Sequence, residues 1–260
     1  MNEKGVSRVV VIVVIVVVAN VIGLGVYWFR GHLGDTYDID ALGIPKFVGV
    51  DYIRLENISR ISKFRSGIGH DYSDIDESCR SMKHYFYRKD DVDWSLAIYS
   101  PVDGIIAKLA PQWVSIKDKS YKGTRVVIRS KEYPAFVFTI FHVNLANSLN
   151  VGDAVTAGQQ LGTLNRTRFS SDIAVSVTVP RGFIQRLLGS SILVSYFDVM
   201  TDSLFQDYQA RGVSSRDALI ISKEARDADP LPCIDKGNLD LDFITPGNLE
   251  NWVILAETNN

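Results

Sequence analysis

The chain has 260 residues, 46% of them hydrophobic, and a formal net charge of -2. That near-balance, without a basic stripe, argues against nucleic-acid binding. The two cysteines, Cys79 and Cys233, lie far apart and lack the CxxC spacing of a zinc ribbon or a redox motif.

The first element is a run from Val9 to Phe29 with no charged residue. A bilayer core about 30 Å thick needs about 20 apolar residues at 1.5 Å each. Fifteen residues of the run are Val, Ile, Leu or Phe. The single strongly polar side chain, Asn20, does not outweigh them. The run is too long for the apolar stretch of a signal peptide, and it closes on Tyr27, Trp28 and Phe29 instead of a small-residue cleavage site. It is read as an uncleaved transmembrane helix over residues 9–29. Lys4 and Arg8 precede it, whereas Arg30 alone follows before Asp35, Asp38 and Asp40. This bias predicts a cytoplasmic N-terminus at 1–8 and an extracytoplasmic remainder.

Residues 30–46 hold Gly31, Gly34, Gly43 and Pro45 and read as a juxtamembrane linker. Alternation at Val48, Val50 and Tyr52 suggests a strand. From Phe64 to Asp91 the chain is rich in Gly, Ser, Asp and His and reads as mostly loop. The centre is β-rich. A turn at Ser100–Gly104 leads into Ile105–Leu109, and Arg125–Ile128 and Phe136–His142 are dense in β-branched and aromatic residues. Gly152-Asp153 and Gly158-Gln159 mark tight turns, and Asp172–Val179 forms a strand stopped by Pro180. Short strands with regular turns predict a sandwich or barrel. Helical spacing returns at 196–211, closed by Gly212. A second helix is expected from Ser214 or Ser215 to Arg226, and a last strand near Trp252. The expected division is 47–180 for a β domain and 181–260 for a C-terminal helical extension packed on it. Cys79 and Cys233 have two readings, a pair formed in an oxidising compartment or two buried free thiols.

Four segments share an order with a known pattern. His70-Asp71-Tyr72-Ser73-Asp74 fits His-x-x-x-Asp. Ser100-Pro101-Val102-Asp103-Gly104 fits a small-Pro-x-Asp-Gly turn. Thr139-Ile140-Phe141-His142-Val143 fits an aromatic-x-His-Leu-like strand end. Asn150 to Gly162 fits a Val-x-x-Gly-Asp-x-Val-x-x-Gly-Gln-x-Leu-Gly element in its second half. Together they resemble the lysostaphin-type (LytM-like) zinc endopeptidases, which cut peptide cross-links in bacterial cell walls. The resemblance implies a mainly β, barrel-sandwich hybrid core, with zinc bound near His70 and Asp74. It implies His142 as the residue assisting catalysis. It covers under half the chain.

The departure lies in the family's closing His-x-His strand. On the best register Asp172 stands for the first His and Ala174 for the second. Residues two apart on a strand share a face, so a carboxylate still points at the site, but alanine binds no metal. The expected metal set is therefore His70, Asp74 and Asp172, with zinc held weakly or not at all. His142 also has a bland reading, a satisfied core histidine, and His70 with Asp74 has one as a loop-stabilising pair. The expectation is a degenerate relative that binds a cell-envelope peptide, glycan or protein partner without cutting it. The alternatives are a metal-dependent hydrolase with altered ligands, or an envelope protein in which the fold alone matters. A biotinyl-type carrier domain would use Ser81-Met82-Lys83-His84 as its hairpin. The 46 residues between Asp103-Gly104 and Val151-Gly152 leave it no room.

Overall fold

A computed structural model of the chain describes residues 35–92, 95–116, 119–146, 148–164, 170–180, 190–235 and 241–257. The expected membrane helix 9–29 and the cytoplasmic stretch 1–8 lie outside these residues. Among the described residues no helix is long and apolar enough to cross a membrane.

The chain is mainly β and antiparallel. Among the described residues, one branched sheet of eleven strands is built from β1 (Ile58–Ser62), β2 (His84–Arg88), β3 (Ala97–Tyr99), β4 (Gly104–Ile116), β5 (Lys119–Ser130), β6 (Phe136–Leu145), β7 (Ala154–Val155), β8 (Gln160–Leu164), β9 (Ser170–Val179), β10 (Ser190–Val194) and β13 (Trp252–Ile254). β11 (Cys233–Asp235) and β12 (Leu241–Phe243) form a separate ribbon. The main path runs β13-β1-β2-β9-β6-β5-β4-β7. β10 pairs with β9, and β8 bridges β6 and β3. β9 lies centrally, with Ile173 facing both His84 of β2 and Ile140 of β6. Phe86, Phe136, Phe138, Ile140, Ile173 and Val175 are fully buried around it. These β-branched and aromatic side chains fit a pleated, two-sided burial.

The motif residues in the turns are structural. Asp103 Oδ1 accepts the Ala157 N–H at 2.8 Å and ties the first turn to the third. Gln159 Oε1 accepts the Thr156 N–H at 3.0 Å, and Gly158 stands between them at φ 79°, where a side chain would be strained. Ser100 Oγ donates to the Val102 carbonyl at 2.7 Å. Such turns belong to a fold and carry no chemistry.

The structure redraws several elements. The expected strand at 48–52 is reduced to single bridges, Val48 to Met200 and Ile53 to Ile98. The expected helix at 196–211 is α2 (Asp202–Ala210), capped by Thr201 Oγ1 accepting from Leu204 N; a short α1 (Ile39–Leu42) precedes it in the chain. Residues before Thr201 serve the core instead. Tyr196, Phe197, Val199 and Met200 are buried, and the Val199 carbonyl accepts from Phe47 and Val48. The second expected helix divides into a 3-10 turn at Arg216–Leu219, capped by Ser215, and α3 (Lys223–Ala228), capped by Ser222. Within the stretch read as loop, His84–Arg88 forms β2, with His84, Phe86 and Arg88 buried in alternation. The C-terminal portion is not purely helical, since β10 and β13 enter the main sheet.

The loop between β1 and β2 carries His70, and the C-terminal portion holds it in place. Cys79 and Cys233 form a disulfide with Cα atoms 5.9 Å apart, across 154 residues of sequence. Glu77 receives Arg65 at 2.7 Å and Arg80 at 2.8 Å, and Arg80 also reaches Asp227 of α3 at 2.8 Å. Fully buried Arg226 donates to the Arg65 carbonyl at 2.9 Å and to Asn251 Oδ1 at 3.4 Å. α2 is fastened separately. Tyr196 and Tyr208 hydroxyls both donate to Asp51, whose carboxyl burial pushes up to about 6 against those hydrogen bonds.

A disulfide closing so long a loop restricts the unfolded chain strongly. Replacing Cys79 and Cys233 together by serine is expected to lower unfolding stability by about 2 to 5 kcal/mol in urea titration. An unchanged midpoint would mean that the ion-pair network alone fixes the loop.

Candidate functional site

Three of the four expected site residues come together: His70 and His142 line a cavity of about 450 Å³ with Tyr72, Lys83, Gln112 and Arg125, and buried Asp172 joins it through Lys83. The floor comes from strand alternation. Lys83 directly precedes β2, and Tyr85, two residues on, faces Asp172 of β9. Lys83, Tyr85 and Asp172 therefore share a face.

The centre is an ion pair. Lys83 Nζ donates to Asp172 Oδ2 at 2.6 Å, and both side chains are 1% exposed. Nζ also lies 3.4 Å from His70 Nε2 and donates to the Tyr85 hydroxyl. The aromatic faces of Phe141, Tyr85 and Tyr72 surround it with ring centroids at 4.4, 4.8 and 5.2 Å, distances suited to cation-π contact. Burial alone would lower this ammonium's pKa, but Asp172 and Tyr85 carry it well above the ordinary lysine value.

His70 reaches Lys83 because the loop descends closely. Gly69 has φ 80°, and a Cβ there would stand 2.0 Å from the Tyr85 hydroxyl oxygen. A side chain there would be strained and would push the Tyr85 hydroxyl aside. His70 Nδ1 lies 2.8 Å from the Asp71 carbonyl, so it is the protonated nitrogen. Its Nε2 lone pair is then directed at Lys83.

His142 arrives by a different device. The β5–β6 register steps from Thr124↔Val143 to Val126↔Ile140, so Arg125 opposes both Phe141 and His142. This is a β-bulge, and His142 occupies it at φ 58°. Simple alternation would turn His142 away from Phe141; the bulge brings both to the cavity. The His142 N–H is taken by Gln112 Oε1 at 2.8 Å. His142 Nε2 stands 3.8 Å from Asp172 Oδ1. A non-glycine residue in this backbone region costs of order 1 kcal/mol and concentrates at functional sites.

Asp74 does not join them. Its Oδ1 accepts from Asp76 N at 2.9 Å and Glu77 N at 3.2 Å, and its Oδ2 from Leu193 N at 2.8 Å. Its carboxylate closes a turn and docks it on β10. Ala174 is buried beside Asp172 on β9 and supplies no donor. His84, by contrast, is a core residue. It bonds the Ser62 carbonyl and Ser195 Oγ, and burial lowers its pKa to about 4.

Among the described residues, no group of three or more His, Cys, Asp or Glu side chains is disposed to hold a metal ion. The donors around Lys83 show why. A zinc ion accepts lone pairs from three protein ligands. Here His70 Nε2 and Asp172 Oδ2 are instead both directed at the Lys83 ammonium, which stands where such a cation would be held. Lys83, Gln112 and Arg125 were not anticipated from the sequence. The available signal was a lysine flanked by Met82 and His84 inside an apolar-aromatic run.

No family model matches the chain, and no curated protein matches it. Among solved structures, one from Ruminococcus gnavus with a provisional glycyl-glycine endopeptidase lytM designation is similar in part. The likeness has a TM-score of 0.30 and 18% identity, over 45% of this chain and 44% of that one. The chain thus spans under half of that structure, and the two folds are not equated.

A buried pair broken on one side leaves an uncompensated charge, whereas replacing both partners by apolar residues is often neutral. Asp172→Asn and Lys83→Met are each expected to lose about 3 to 5 kcal/mol of stability, and the Lys83→Met/Asp172→Leu double variant to regain most of it. Denaturant titration of the four proteins checks this. Single losses that simply add in the double variant would contradict the pairing.

Proposed function

We propose that this is a LytM-like domain without a working metal centre, held at a membrane by residues 9–29, that binds a cell-envelope peptide or glycan without cutting it. The observation that carries the reading is the Lys83 ammonium at the point where His70 and Asp172 converge. It supplies in place the positive charge that a metal would bring. It cannot activate water as a Lewis acid, because an ammonium has no vacant coordination position. The order of the four sequence segments supports the LytM-like assignment. The Cys79–Cys233 disulfide supports an oxidising, extracytoplasmic setting, which agrees with the charge bias around the proposed anchor.

The retained pocket can still recognise a ligand. A cavity of this size with aromatic walls and a few fixed polar groups is the usual form of a small-ligand site. His142, which lines the cavity, would serve here as a recognition group.

One observation favours the alternative, a hydrolase with altered ligands: His70, His142 and Asp172 do share one site. The two readings part on metal content and turnover. The detergent-solubilised full chain is expected to hold less than stoichiometric zinc after incubation with Zn²⁺ and dialysis, and to release no product from cell-wall or peptide substrates. Stoichiometric zinc, with turnover abolished by His70→Ala, would overturn the proposal and establish the hydrolase.

A further inference from the structure

We infer that the cavity recognises a carboxylate, and that Arg125 is the residue that reads it. This rests on the reading of the cavity as a ligand site and names the chemistry of the group that enters it.

The charges in the cavity are unequally satisfied. Lys83 and Asp172 neutralise each other on the floor. Asp71, the one carboxylate among the described lining residues, has Oδ1 already accepting from Ser73 Oγ at 2.6 Å and from Arg80 N at 3.1 Å. Arg125 is different. It lines the cavity, its Nε is buried without a hydrogen-bond partner, and among the described residues no carboxylate forms an ion pair with it. Burial pushes the neighbouring Tyr72 hydroxyl up, while Lys83 and Arg125 pull it back, so both cations act on the same wall.

A buried donor left unmade is costly, and a protein interior seldom tolerates one without reason. Arginine adds a geometric preference. Its planar fork presents paired N–H groups that match the two oxygens of a carboxylate, which a lysine does not offer. Gln112 stands alongside. Its oxygen is taken by the His142 N–H, which leaves its amide nitrogen with two donors. Phe141 and Tyr72 meet edge to face at 5.4 Å and supply apolar surface for whatever carries the carboxylate. A cation, an amide donor and aromatic surface lining one cavity suit a small acid group on a short apolar residue.

The carboxylate has two sources in a peptide, its free C-terminus or an acidic side chain. The test uses three probes on the full chain in detergent: acetyl-Ala-Ala with a free C-terminus, its C-terminal amide, and acetyl-Glu amide. Binding is followed by calorimetry and by the Nε–H resonance of Arg125. At least one acid probe is expected to bind roughly tenfold or more tightly than the neutral amide and to shift that resonance. Arg125→Gln should erase the preference, and Arg125→Lys should recover only part of it. Whichever acid binds more tightly identifies the source.

Equal binding of acid and amide would overturn the carboxylate assignment while leaving peptide binding intact. A preference that survives in Arg125→Gln would overturn the role of Arg125. Binding of none of the three probes, or tighter binding of inorganic phosphate, titrated as a control, than of either acid, would overturn the inference as well. Failure of the underlying reading shows separately, as zinc uptake with turnover.

Discussion

A charge removed from water must meet its counter-charge at once, and in this protein that demand falls on Lys83 and Asp172. Both are 1% exposed and 2.6 Å apart. Leaving either alone would cost several kcal/mol, so β9 and the start of β2, which Lys83 directly precedes, must stay in register. That register sets the rest. Asp172 fixes β9 against β2, Tyr85 follows on the same face, and His70 is drawn down until its Nε2 meets the ammonium. A buried ion pair is a poor way to gain stability against an apolar core. Its value here is positional: it holds a full positive charge under an aromatic-walled cavity.

The remainder of the scaffold supports that placement from two sides. From the sheet, the bulge in β6 turns His142 inward, and Gln112 on β4 holds its backbone N–H. From the C-terminal portion, the disulfide, the Glu77 network and Arg226 clamp the loop that bears His70. The loop itself has little regular structure, so without these ties it would be free to drift from the cavity. The site is thus assembled from parts that lie far apart in sequence, and the C-terminal portion supports its geometry although none of its described residues lines the cavity.

Local signals in the sequence were reliable where local chemistry decides. The turns at Ser100–Gly104, Gly152-Asp153 and Gly158-Gln159 were legible because glycine and short polar side chains fix a backbone conformation by themselves. The strands around Ile128, Phe138 and Val175 were legible from β-branched and aromatic density. Helical spacing at 196–200 misled, because those apolar residues are buried by a bridge to Val48 and by aromatic packing, not by a helix. His70, His142 and Asp172 were visible through the order of motifs. Asp74 was not separable from them, since a carboxylate that caps a turn and one that binds a ligand look alike in sequence. Lys83 was hidden for a stronger reason. Its partner is 89 residues away, and no periodicity announces a buried lysine. Arg125 and the bulge opposite it depend on a one-residue register step, which alternation cannot foretell.

The central claim is that a protein-borne ammonium stands where the donors of this site converge. The nitrogen-15 resonance of Lys83 Nζ, followed through a pH titration with and without Zn²⁺, tests it most directly. A protonated Nζ that persists above the ordinary lysine range, in line with the raised pKa, and that ignores added Zn²⁺ is the predicted result. Deprotonation below that range, or displacement of the signal by stoichiometric Zn²⁺, would contradict the account.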